Sequence, residues 1–163
     1  MTWAYIAGFF DGEGSLSRNG NGFRVTIPQT NVEVLCTIQR FAGYGNVIHV
    51  TKRQRHWKES WIYAVAKQEE VLHFLHRIGP YLVVKRNLVK AALPGIAQMV
   101  AQYRHEMVRR KQQFRTAVSL RKRGWTYRDI GRRLGMDWSW TRRIIMKAPT
   151  NPDGTTTVGV AQW

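Results

Sequence analysis

YIAGFFDGEGS, residues 5 to 15, ends a short apolar stretch on two acids, Asp11 and Glu13, in a chain with 26 Lys and Arg against 10 Asp and Glu. A helix C-terminus carries partial negative charge, so carboxylates there are disfavoured by a few tenths to ~1 kcal/mol each. The pattern predicts a helix over 3–11 capped by Thr2, with Trp3, Ile6 and Phe10 on a bulky stripe. Ala4, Ala7, Gly8 and Asp11 form a bare one, and Gly12 and Gly14 are expected to stop the helix through left-handed backbone angles. The bare stripe allows close approach of a second copy of the same helix, which makes it the expected homodimer interface. Two carboxylate clusters brought together at such an axis repel unless cations sit between them. Mg²⁺ suits that place, because it takes one or two carboxylates and fills its other positions with water and phosphate oxygens. A metal held there could polarise a phosphodiester and activate a water.

Outward from this stretch the periodicity changes. From Ser15 an alternating pattern turns at NGNG, 19–22, with Phe23, Val25 and Ile27 on one side and Arg24 and Thr26 on the other. Asn31 caps a second expected helix, VEVLCTIQRF, ending at Ala42-Gly43; Cys36 within it reads as a buried structural thiol. Strands are expected near 46–51 and 60–66, a third helix at 68–78, and further helices at 85–93 and 96–111 on either side of Pro94-Gly95. The fold class is therefore α+β, an αββαββα core whose four-stranded antiparallel sheet carries helices on one face and leaves the other open to a ligand.

The formal charge of +16 on 163 residues points to a polyanionic partner, nucleic acid before an anionic membrane surface. No apolar run is long enough to cross a bilayer and no signal peptide is evident, so an intracellular protein is expected, cytoplasmic or nucleoid-associated if bacterial or phage, otherwise organellar. The charge is uneven: residues 109–147 hold 13 basic and 2 acidic residues, a net +11. Within them, a helix to about Arg123, another from Thr126 to about Leu134 and a third from about Trp138 to Lys147 suit a helix-turn-helix. Its third helix would bring Ser139, Trp140, Arg142 and Arg143 to DNA. The expected domains are a core over 1–95, a linking helix over 96–111, the helix-turn-helix over 112–147 and a flexible tail over 148–163. His73 and His76 lie three apart but lack companions at zinc-like spacing.

At IAGFFDGEG, 6–14, followed by the alternating ribbon, the chain resembles the LAGLIDADG homing endonucleases, with Glu13 in place of the motif's second Asp. The resemblance covers about residues 3–95 and implies a single-motif enzyme acting as a homodimer on double-stranded DNA. It implies Glu13 as metal ligand, helped by the Gly12 carbonyl, with Mg²⁺ as cofactor and Mn²⁺ able to substitute; no small-molecule cofactor is implied. Gln29 in VTIPQTN would position water, and Lys85 in GPYLVVKRN would serve as transition-state cation or water activator. Glu33 stands about where some members carry a basic residue. The sheet would read the major groove through Arg18, Arg24 and Thr26, with Lys52, Arg53 and Arg55 on phosphates. The implied product is a double-strand break in a long near-palindromic site, with four-base 3′ overhangs. The alternatives are a non-cleaving transcriptional regulator, a class that usually lacks the acids, and an intron maturase.

Overall fold

The computed structural model describes residues 1–51, 54, 56 and 58–147. Two compact units divide after Gln102. The first contains α1 (Trp3–Glu13), β1 (Ser15–Asn19), β2 (Gly22–Gln29), α2 (Val32–Ala42), β3 (Asn46–Val50), β4 (Ser60–Val65), α3 (Gln68–Ile78) and a 3₁₀ turn at Gly79–Tyr81. This is the expected αββαββα order. The helix α4 (Arg86–Lys122) follows, then α5 (Tyr127–Leu134) and α6 (Trp138–Met146) in the second unit.

The sheet is antiparallel throughout, in the order β1-β2-β4-β3. Residues opposite one another across an antiparallel pair share a face. Leu16 pairs with Val25, Val25 with Val65, Ile27 with Tyr63 and Val47 with Tyr63, so these side chains point one way. All of them belong to, or pack on, the buried cluster formed with Ile6, Phe10, Leu35, Ile38, Phe74 and Leu75 from the helices. The opposite face carries Ser15, Ser17, Arg24, Thr26, Pro28, Ile62, Ala64, Asn46 and Ile48. Pro28 is tolerated because β1 begins opposite Thr26, leaving β2 without a neighbour on that side where a backbone donor would be wanted.

Local signals explain the element ends. Thr2 accepts the Tyr5 N–H, and Asn31 accepts those of Glu33 and Val34, while Glu33 places its charge in the first turn of α2. Gly14 corrects an expectation. α1 runs through Gly12 to Glu13, and Gly14 has φ −77°, outside the left-handed region. Space demands glycine here, since a Cβ would lie 2.1 Å from the buried Phe10 ring. Cys36 is half-buried rather than buried.

α4 is the larger departure: the helices expected on either side of Pro94-Gly95, and the one running to Arg123, are a single element of 37 residues. A proline inside a helix forfeits one backbone hydrogen bond. Val89, Leu93, Ile96 and Val100 nonetheless fall on one stripe across Pro94 and all reach the core cluster. Packing on both sides of the proline outweighs the local loss.

The start of α4 is tied to the end of α1 by Asp11. Its Oδ2 accepts the N–H groups of Val83 (2.6 Å) and Val84 (3.2 Å), and its Oδ1 that of Lys85 (2.9 Å). Burial pushes this carboxyl's pKa up, but the three backbone donors and the Lys85 charge outweigh it, and the pKa lies below its ordinary 3.8. A group with a depressed folded pKa stabilises the fold above its unfolded value, and that contribution disappears as pH falls through the lower folded one. Asp11→Asn should therefore cost about 1–2 kcal/mol near neutral pH. Urea melts from neutral pH downward should show the gap between wild type and variant closing below the ordinary carboxylate range, not above it.

Candidate active site and nucleic-acid interface

The end of α1 collects the residues that chemistry would need. Lys85 precedes α4, and its ammonium turns back onto α1, donating to the carbonyls of Phe10 (3.0 Å) and Asp11 (2.5 Å) and lying 5.6 Å from the Phe10 ring centroid. A cation is favoured there by the partial negative charge of the helix end; the Phe10 carbonyl already accepts the Gly14 N–H at 2.9 Å and takes the ammonium as a second donor. Glu13, in the final helical position, is exposed, as is Gly12. The structure thus brings Lys85 to the helix end that displays Glu13, although 72 residues separate them in sequence. Gln29 closes β2, and its Oε1 accepts the Thr30 N–H at 2.8 Å and hydroxyl at 3.2 Å. The register pairs Ser15 with Thr26, so Gln29 lies three residues beyond that pair, about 10 Å along the strand, at the sheet end where α1 passes into β1.

Two of the proposed interface residues need correction. Ala7 is fully buried in the core, because the helix is rotated so that residues 6, 7 and 10 face the sheet. Asp11 spends both oxygens on Val83, Val84 and Lys85. The exposed bare stripe runs instead through Ala4, Gly8 and Gly12, and a Cβ on either glycine would meet open space. Beside it Asp11 pins two residues that sequence reasoning missed, Val83 and Val84, each 77% exposed. Their signal was the apolar run YLVV lying between helices rather than within one.

The open sheet face carries Arg24 and Thr26 as expected, and Arg24 Nε is shielded from solvent without a hydrogen-bond partner. Arg18 is not on that face. It pairs with Phe23, and its guanidinium lies 5.2 Å from the Phe23 ring centroid, on the helix-covered side at the sheet edge. Lys52, Arg53 and Arg55 lie outside the described residues.

Among the described residues, no three His, Cys, Asp or Glu side chains gather at one point. His73 Nδ1 is instead bonded to the Tyr44 hydroxyl at 2.8 Å. The chain offers the Glu13 carboxylate and the Gly12 carbonyl, a sparse oxygen set that fits Mg²⁺ better than a softer metal. No described helix is long and apolar enough to cross a membrane.

In the second unit, α5 and α6 are joined by a tight turn. Gly135 is left-handed, φ 65°, and Asp137 caps α6 by accepting the N–H groups of Ser139 and Trp140. Gly131 is needed for close approach, since a Cβ there would stand 2.7 Å from the Met136 carbonyl oxygen. Ile130, Thr141 and Ile144 are buried, while Ser139, Arg142 and Arg143 are exposed. Trp140, 37% exposed, lines an apolar recess with Met107, Phe114 and Ile144, which gives it a packing role.

A family model described as LAGLIDADG-like domain matches residues 2–79. No curated protein matches the chain. Among solved structures, the archaeal intron-encoded homing endonuclease I-Vdi141I, complexed with DNA, is similar at 21% identity and TM-score 0.50, over 89% of this chain and 94% of that one. The homing endonuclease I-CvuI, in complex with its target, is similar at 18% identity and TM-score 0.47, over 89% of this chain and 92% of that one. Residues 2–79 of this chain match the LAGLIDADG-like domain model, and the likeness to I-Vdi141I is one of fold.

Proposed function

We propose that this chain is a divalent-metal-dependent DNA endonuclease that works as a homodimer and makes a double-strand break. The observation that carries the reading is the α1 terminus, where an exposed Glu13 shares a helix end with the ammonium of Lys85. Glu13 and the Gly12 carbonyl would hold Mg²⁺, or Mn²⁺ in its place, which when bound supplies Lewis-acid polarisation of a phosphate oxygen. Lys85, fixed by two carbonyls, would offer positive charge to the pentacoordinate transition state at phosphorus, and Gln29 would orient the attacking water. Water oxygen bonds to phosphorus as the P–O3′ or P–O5′ ester bond breaks, and the leaving oxygen takes a proton. By the family resemblance the two cuts are staggered across the minor groove and leave four-base 3′ overhangs. The solved complexes of I-Vdi141I and I-CvuI contain DNA, and the open face with Arg24 and Thr26 supports duplex DNA as the ligand here.

The dimer reading rests on the exposed stripe Ala4, Gly8 and Gly12 and on Val83 and Val84 beside it. Small residues let two helices approach closely, and exposed valines supply area for a partner to cover. The second unit reads as a helix-turn-helix whose α6 adds phosphate and base contacts through Ser139, Arg142 and Arg143, lengthening the recognised site.

Three outcomes test these parts. Full-length Glu13→Gln protein should bind a duplex selected from a random library and fail to cut it with Mg²⁺ or Mn²⁺; a wild type that binds without ever nicking would make the chain a regulator instead. Val83→Ser with Val84→Ser keeps the backbone bonds to Asp11 and should weaken self-association at least tenfold in sedimentation equilibrium. Arg142→Ala with Arg143→Ala should shorten the footprint and flatten the salt dependence of binding by up to about two units of slope.

A further inference from the structure

Three apolar side chains form a row across the open face of the sheet. Pro28 is paired with Ile62, and Ile62 with Ile48, so all three project to the side opposite the core. None of them belongs to the core cluster or packs on it. Ile48 is 45% exposed and Pro28 is exposed. Adjacent strands lie about 4.8 Å apart, so the row spans roughly 10 Å, the width of a few base edges.

An isolated exposed isoleucine requires no explanation. A contiguous row does, because the same face carries Ser15, Ser17, Asn46, Thr26 and the cation Arg24, and a sheet solvated on that side would be expected to carry polar residues there. The occupant must combine negative charge with small apolar projections. In the major groove of duplex DNA, the phosphates supply the first, and the C5-methyl group of thymine is the one apolar feature on a base edge.

We propose that Pro28, Ile62 and Ile48 form a methyl-reading strip that specifies thymine within each half-site, beside a polar segment around Arg24 and Thr26 that reads donors and acceptors. This rests on the sheet being the DNA-binding face. The strip excludes water from the thymine methyl without any hydrogen bond of its own. It therefore discriminates by shape and desolvation, and it leaves the choice of guanine or adenine elsewhere to the polar residues.

The test uses full-length Glu13→Gln protein and its selected duplex, with each thymine replaced singly by deoxyuridine, which removes the methyl and nothing else. At the thymine facing the strip, affinity should fall about fourfold per half-site, the equivalent of ~0.8 kcal/mol for one buried methyl-sized group. Ile48→Ala should bind the unmodified duplex correspondingly more weakly and lose the sensitivity to deoxyuridine at that position alone. Deoxyuridine without effect at every thymine under the central footprint would overturn the strip while leaving the sheet as the DNA-binding face. So would a sensitivity that Ile48→Ala and Pro28→Ala both retain. Absence of any central footprint would instead remove the sheet reading and the strip together.

Discussion

The two-way exchange between Asp11 and Lys85 is the contact on which the rest of the first unit depends. The α1 terminus has carbonyls in need of donors, and the backbone ahead of α4 has N–H groups in need of an acceptor. Asp11 leaves the first helix to satisfy the second, and Lys85 returns from the second to satisfy the first. Each charge sits at the helix end of opposite sign, so the pair is favoured by both local dipoles as well as by mutual attraction. This resolves the apparent conflict of an acid near a helix C-terminus. Asp11 faces away from the local carbonyls, toward N–H groups 72 to 74 residues later in the chain. Glu13 stands exposed, which divides the two acids of the motif into one that builds and one that is displayed.

That division bears on how the two functions of α1 coexist. The helix must bury Ile6, Ala7 and Phe10 beneath its own sheet while keeping Ala4, Gly8 and Gly12 uncovered. Eleven residues give only three turns, so every position is committed. Gly14 completes the arrangement by letting the chain pass directly over Phe10 into β1, which links the rigidity of the core to the position of Glu13 one residue earlier.

Much of this was legible in the sequence because the signals were local. Alternation from Ser15, the Asn31 cap, Gly43 beyond α2 and the turn at Gly135 each determine an element within a few residues, and the elements fall where those signals stand. Signals that depend on contacts across the fold misled. Pro94 reads as a break until Val89, Leu93, Ile96 and Val100 are seen to pack on one core. Ala7 reads as part of a bare surface until the helix rotation is known, and Arg18 reads as a sheet cation until its register partner proves to be Phe23. The clasp between Asp11 and Lys85 was invisible, since neither spacing nor composition relates two residues that far apart.

The open face of the sheet shows why charge alone is a poor guide to what such a surface recognises. Cations concentrate a polyanion near the protein but distinguish one sequence from another only when aimed at base edges. The arginine expected on this face at the first strand is diverted to the far side, and among the described residues the strands present one cation, several hydroxyls and an apolar row there. The steep positive charge lies in residues 109–147, with their net +11, so in the proposed endonuclease the sheet would contribute discrimination and the C-terminal residues affinity. On that reading, apolar residues are tolerable on the open face, because the attraction for a duplex would be supplied elsewhere in the chain.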